Sequence, residues 1–217
     1  MKINWQQVDT VILDLDGTLI DLYFDHHFWR NTVPEAYAKK YNLHIDSCRI
    51  KLKQQYDAIE HSMDWYSIDF WAKKFDLPLR KLLQEQGSMT KVRSDVPYFL
   101  QQLRNMGKTL ILLTDSHPFS LKVKMDNCDL ATYFDLLLSS HDFNAPKIEQ
   151  TLWHNLQKRH DFDPLRTCFI DDTEKVLDSA KLFGIAYTVG VENPDSTTND
   201  KLFERHFGVK NYRTLIE

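Results

Sequence analysis

Two pairs of acids carry most of the chemistry legible in this chain. Asp14 and Asp16 stand two apart in Asp14-Leu15-Asp16-Gly17-Thr18, and Asp171 and Asp172 are adjacent in Phe169-Ile170-Asp171-Asp172-Thr173. Desolvated carboxylates held close together repel each other and cost stability unless a cation or a proton compensates. At average composition D-x-D-G-T arises about 0.002 times in a chain of this size, so chance does not explain it. Helix capping accounts for one acid of the second pair and leaves the other unexplained. Placed side by side, Asp14, Asp16, Asp171 and Asp172 form a hard-oxygen cluster suited to Mg2+, which takes a few carboxylates plus water and substrate phosphate. Thr114, closing an apolar run, and Lys147, following Pro146 at a helix start, mean little alone. Their order along the chain, between the two acid pairs, gives them weight.

The elements that must position these groups alternate. Thr10–Asp14, Thr109–Thr114 and Cys168–Asp171 are short apolar or β-branched runs, each ending at one of the candidate residues; Leu136–Ser139 and Ile185–Val189 are weaker runs of the same kind. Helical patterns lie between them. One starts at Asp95 as N-cap with Pro97 in its first turn and stops at Gly107; another follows Thr173 and stops at Gly184. Strands alternating with helices imply parallel strands joined by crossovers. Runs that are apolar throughout imply strands covered on both faces. The expected fold is therefore α/β, an open parallel-sheet, Rossmann-like core.

Residues 22–94 break the alternation. They carry helical patterns at Val33–Tyr41, Cys48–Ile59, Met63–Phe75 and Pro78–Gln86 and no strand signal. An all-α insertion after the first strand is the simplest reading, with residues 1–21 and 95–217 forming the core and 22–94 a lid over the carboxyl ends of the strands. Its twelve Lys/Arg against eleven Asp/Glu over residues 21–95 make it no electrostatic arm. Trp65, Ile68, Ala72 and Phe75 fall at helical spacing as the insertion's own core face. Tyr66 and Phe70 lie off that face, and Phe24, Phe28 and Trp29 lie near the first crossing. The tail from Pro194 onward mixes acids with Lys201, Arg205, Lys210 and Arg213 and reads as a solvated closing segment.

Composition narrows the function classes. At 217 residues with 42% hydrophobic and 27% charged residues, the chain needs no disulfide or metal staple to bury a core. A net charge of −4 leaves no basic excess for nucleic acid. The longest apolar run, Leu110–Leu113, is far short of the roughly 20 residues that span a bilayer, and no signal peptide is visible, so no membrane partner is expected. Cys48, Cys128 and Cys168 are odd in number and in no metal-ligand spacing, which suits free thiols in the cytoplasm. The nine histidines form no metal pattern, and His26-His27 read as surface imidazoles at the insertion's entrance.

In motif order the chain resembles the haloacid dehalogenase-like (HAD) hydrolases, with the helical insertion matching that superfamily's type 1 cap. More narrowly it is similar to bacterial GMP/IMP 5′-nucleotidases, through Asp21-Leu22-Tyr23-Phe24-Asp25, Asp64-Trp65-Tyr66, Thr114-Asp115-Ser116-His117-Pro118, the Asp171-Asp172 segment and Val191-Glu192-Asn193-Pro194-Asp195-Ser196. The resemblance implies Asp14 as nucleophile, Asp16 as general acid and base, and Thr114 with Lys147 as holders of the phosphate. It implies Mg2+ among Asp14, the Asp16 backbone carbonyl, Asp171 and Asp172. The substrate would be a small phosphate ester, a purine nucleoside 5′-monophosphate. Asp115 departs from the pattern, since many relatives have Asn there; an extra acid weakens phosphate binding unless it turns away or meets a cation. His117, three residues beyond Thr114, is expected near the phosphate, and Tyr66, Trp29 or Phe28 to stack on the base. A dehalogenase needs no proton donor, so Asp16 counts against it; a phosphonatase would need a lysine such as Lys51 or Lys53 as Schiff base. A phosphosugar phosphatase or mutase would share every core motif, and a phosphate-binding module without turnover would not need Asp16.

Overall fold

The computed structural model describes residues 3–216. Its core is a six-stranded, fully parallel sheet built from β1 (Thr10–Leu13), β2 (Thr109–Thr114), β3 (Leu136–Ser139), β4 (Thr167–Asp171), β5 (Tyr187–Val191) and β6 (Phe207–Val209) in the order β3-β2-β1-β4-β5-β6. The order reverses between β1 and β4, the crevice where open α/β sheets bind ligands. The strands bury both faces. Val11, Leu13, Leu110, Leu112 and Ile170 face one layer, with Phe99, Leu103 and Tyr212; Ile12, Ile111, Leu113 and Phe169 face the other, with Trp153, Leu156, Leu177 and Ala180. Alternation along each strand sends neighbours to opposite faces, and both faces need apolar residues.

Between β1 and β2 lie α1 (Tyr23–His27), a π-helical turn at Phe28–Thr32, α2 (Val33–Tyr41), α3 (Ile45–Asp57), α4 (Met63–Tyr66), α5 (Ile68–Phe75), α6 (Leu79–Glu85) and α7 (Val96–Asn105). After β2 come α8 (Pro118–Asp126), α9 (Gln150–Arg159), α10 (Glu174–Phe183) and α11 (Arg213–Ile216). Helices α1–α6 have their own buried cluster, including Phe24, Phe28, Leu52, Ile68, Trp71, Phe75 and Leu79, and Val123 of α8 joins it. The two crossings into and out of this helical stretch run side by side. Ile20 bridges Val92 antiparallel, Asp21 N–H donates to the Lys91 carbonyl, and Arg93 N–H donates to that of Leu19. No helix is long and apolar enough to cross a membrane among the described residues.

Four expectations shift. The helix expected over Met63–Phe75 is two helices, broken at Ser67, whose extended backbone lets its hydroxyl accept the Phe70 N–H at 3.2 Å. The break resets the register, so Ile68, Trp71 and Phe75 form the buried face and Trp65 is only half-buried. Asp95 sits at the N-cap of α7, yet its carboxylate accepts the Tyr212 N–H at 2.7 Å instead of capping. β5 begins two residues later than expected, because Ile185 N–H closes α10 onto the Ala180 carbonyl. The tail is not a solvated segment. It supplies β6 and buries Val209, Tyr212 and Leu215, with Tyr212 stacked on Phe99 at 4.7 Å and its hydroxyl donating to the Thr18 carbonyl at 3.0 Å.

Candidate active site

Asp14 follows β1 and Asp171 ends β4, the adjacent strand in register with it. The Asp14 N–H donates to the Ile170 carbonyl at 3.0 Å, prolonging the pairing by one residue. This puts two nearly fully buried acids, 4% and 1% exposed, side by side at the carboxyl edge of the sheet. The chain then turns at Gly17, whose φ of +79° favours glycine and where a Cβ would meet the Asp172 Cγ and Pro194 Cβ at 3.0 Å. Thr114 ends β2 on the other side of β1 and is buried, its Oγ1 accepting the Ser116 N–H at 3.0 Å.

Lys147 arrives from the segment before α9, and four contacts fix it. Its N–H donates to Asp115 Oδ1 at 3.0 Å, its carbonyl accepts the Trp153 indole at 2.9 Å, and its ammonium reaches Asp14 Oδ1 at 2.5 Å and Asp171 Oδ2 at 2.7 Å. Burial drives the Asp14 carboxyl well above its ordinary range, opposed by the Lys147 ammonium and aided by the neighbouring acids. Burial likewise lifts Asp171 to about 6 against the same ammonium. Asp115, the departure from the family pattern, turns its carboxylate to the Lys147 backbone and so orders the lysine's segment.

Asp14, Asp171 and Asp172 each offer a carboxylate oxygen within 4.8 Å of the others. Against these three acids stands one buried ammonium, so the donor set is hard oxygen with negative charge in excess, compatible with a divalent cation. The Asp16 side chain is not in that group. It points the other way, Oδ1 taking the Lys124 ammonium at 2.6 Å and Oδ2 the Ser116 hydroxyl at 2.6 Å. Burial pushes the Asp16 carboxyl up, but Lys124 and these hydrogen bonds outweigh it and hold it below the usual carboxylate range. Lys124 is itself fully buried and also pairs with Asp25 of α1, 2.8 Å away.

These groups floor a cavity of about 860 Å³ that reaches between the sheet edge and α1–α5. Asp14, Asp16, Thr114, Asp115, Lys147, Asp171 and Asp172 line it together with the aromatic side chains of Trp29, Tyr56, Trp65, Tyr66 and Trp71. Among the described residues, the Tyr56 hydroxyl and His61 Nδ1 are buried without a partner, and both residues line the cavity. Phe28 does not line it; the ring is fully buried beneath Trp29, 5.1 Å away edge-on. His117 does not line it either. It caps α8, its Nδ1 accepting the Phe119 N–H at 3.2 Å and its Nε2 lying 3.6 Å from Asp69, so the structure turns it from the phosphate end. His26, read as a surface imidazole, lines the cavity and pairs with Asp195 of the tail at 2.5 Å.

Sequence reasoning missed Ser116, Lys124, Asp25 and Lys201, the last 3.0 Å from Asp172. A lysine within α8 looks like any solvated helical lysine, and nothing local signals that a second element will bury it. Asp25 stood in a segment that supported the resemblance, without an assigned role.

Fold and site together define a class. The HAD-like hydrolase family matches residues 8–184, and the chain belongs to it. It is 42% identical over 216 residues to the GMP/IMP nucleotidase YrfG of Escherichia coli K12, covering 100% of this chain and 97% of that one. Among solved structures, a HAD phosphatase from Thermococcus onnurineus superposes with a TM-score of 0.80 at 23% identity, over 96% of each chain. An L-2-haloacid dehalogenase from Xanthobacter autotrophicus superposes at 0.64 with 16% identity, also over 96% of each. The last two share the fold but not the named chemistry, so fold alone does not choose the reaction.

Proposed function

We propose that this chain hydrolyses purine nucleoside 5′-monophosphates, GMP and IMP, through a phosphorylated Asp14. The observation that carries the reading is the Lys147 ammonium held between Asp14 and Asp171 at the floor of an aromatic-lined cavity, with Asp16 two residues on. Identity to a GMP/IMP nucleotidase over the full chain supports the choice of substrate. Residues 1–21 and 95–217 act as the catalytic core and 22–94 as a cap; the antiparallel contacts at the two crossings support that division.

In this mechanism Asp14 attacks phosphorus while the P–O5′ bond breaks, and Asp16 delivers a proton to the departing oxygen. Water then attacks the aspartyl phosphate, Asp16 takes its proton, and phosphate leaves. The low proton affinity of Asp16 at rest suits the second step. For the first, a phosphate dianion beside it raises its proton affinity by like-charge repulsion. Thr114 and Lys147 bind the phosphate oxygens, and Asp115 orders the lysine's segment. Mg2+, held by Asp14, Asp171, Asp172 and the Asp16 carbonyl, supplies charge that offsets repulsion between nucleophile and phosphate. Trp29 and Tyr66 offer faces to the purine, while the unpartnered Tyr56 hydroxyl and His61 Nδ1 are available to the 6-oxo edge that guanine and hypoxanthine share. Three unpaired cysteines support a reducing, cytoplasmic setting.

The test is phosphate release from a panel of nucleoside 5′-monophosphates and sugar phosphates, with Mg2+ and with EDTA, for wild type and Asp14→Asn. Mg2+-dependent release favouring GMP and IMP and lost in the variant is expected. Release from sugar phosphates alone would discard the purine assignment, and no release from any would favour a binding module.

A further inference from the structure

Lys124 is the fully buried cation that the reaction as written does not use. It projects from α8 and lines no part of the cavity; its ammonium takes Asp16 Oδ1 at 2.6 Å, both oxygens of Asp25 at 2.9 and 2.8 Å, and lies 3.3 Å from the Ser116 hydroxyl. Three donors are thereby committed and none is left for a ligand. The Phe24 ring lies 5.8 Å away and completes its enclosure. Its three partners come from three places: Asp16 from the turn after β1, Ser116 from the turn after β2, and Asp25 from the first helix of the insertion.

Stability gives such a triad little reason to exist, because replacing buried ion pairs with apolar side chains of similar volume is often neutral or favourable. Geometry gives a better one. The acid must lie within hydrogen-bond reach of the departing oxygen, and a displacement of about 1 Å costs on the order of 10²-fold in rate. An aspartate in an open cavity has two rotatable bonds; here both carboxylate oxygens are tied, one to Lys124 and one to Ser116. The tie to Asp25 makes that position depend on where the helical insertion sits.

We propose that Lys124 is a positioning residue for Asp16, and that Asp25 is the anchor through which the inserted helices set the acid's place. This rests on the reading of Asp16 as the proton donor. Its signature is dependence on the leaving group. An alkoxide leaves only with a proton, whereas p-nitrophenolate spreads its charge into the nitro group and leaves without one.

The experiment measures the single-turnover rate of leaving-group release, which reports the first step alone, from IMP, ribose 5-phosphate and p-nitrophenyl phosphate for wild type, Asp16→Asn and Lys124→Met. In that step Lys124→Met is expected to lose about 10²-fold on the two alkyl esters and less than about fivefold on p-nitrophenyl phosphate, with the same split in Asp16→Asn, whereas steady-state turnover falls on all three because the second step needs Asp16 as base. Retained first-turnover release of p-nitrophenolate shows in the same sample that the variant is folded. Equal first-step losses on all three, or no loss, would overturn the positioning role. If Lys124→Met shows no cooperative melt, the double variant Lys124→Met/Asp25→Asn, which removes one acid with the cation, takes its place under the same criterion. Should Asp16→Asn itself show no leaving-group split, the donor reading fails and the positioning role falls with it. A split in Asp16→Asn without one in the lysine variant refutes the positioning role alone.

Discussion

Replacing Lys147 with Met tests the charge balance at the floor of the site. Lys147 is 3% exposed, and its ammonium is the buried cation shared by Asp14 and Asp171. Removing one partner of a buried pair costs about 3–5 kcal/mol, because the other charge is left without compensation. The cost has a ceiling, since taking up one proton restores the net charge the lysine had set. From an ordinary carboxyl value of 3.8, that uptake costs about 1.4 kcal/mol per pH unit, hence about 5 kcal/mol at pH 7.5 and about 2 kcal/mol at pH 5.5. The folded variant binds one carboxyl proton more than folded wild type while their unfolded chains bind alike, so its deficit grows as pH rises. At about 2–4 °C per kcal/mol for a chain of this size, the variant should melt about 10–20 °C below wild type at pH 7.5 and about 4–8 °C below at pH 5.5. The assay is thermal melting followed by circular dichroism in EDTA. A gap under about 3 °C at pH 7.5, or one that does not narrow toward pH 5.5, would refute the reasoning. Adding Mg2+ should raise the variant's melting temperature more than wild type's, because more negative charge awaits the cation.

Trp29→Ala and Tyr66→Ala should raise KM for GMP about 2–10-fold, the range of one lost stacking contact, while leaving p-nitrophenyl phosphate turnover nearly unchanged; unchanged KM in both would remove the base from these two rings. Burial holds His117 below its ordinary 6.5, so the unfolded chain binds its proton more readily and stability falls as pH drops through 6.5. His117→Asn keeps an N-capping oxygen for α8 and should flatten that part of the melting-temperature profile against pH; an unaltered slope would assign the dependence elsewhere. Tyr212→Ala removes a fully buried ring stacked on Phe99 and should cost about 3–5 kcal/mol in denaturant unfolding, whereas a loss under about 1 kcal/mol would mean the tail is dispensable to the core.

What the chain reveals in one dimension and what it withholds divides along a physical line. The strands that carry Asp14, Thr114 and Asp171 are continuous apolar runs ending in polar groups, a pattern that needs no partner to be recognised. β6 has only three residues with Gly208 in the middle, and becomes a strand because β5 offers it an unpaired edge. His117 and Phe28 lay close in sequence to residues that line the cavity, yet helix geometry turned one into a cap and the other into core.

The sequence by itself determined the order of strand-end acids, the parallel α/β architecture they imply and the helical stretch between the first two strands, because hydrophobic period and residue type are local properties. Only the tertiary structure decided that Lys147 lies between Asp14 and Asp171, that Asp115 serves the lysine's backbone, and that Lys124, Asp25 and Ser116 enclose Asp16. Those are contacts between residues 99 to 133 positions apart in several cases. Burial is what turns an ordinary lysine or aspartate into a committed partner, and burial is a property of the folded surface, not of the residue.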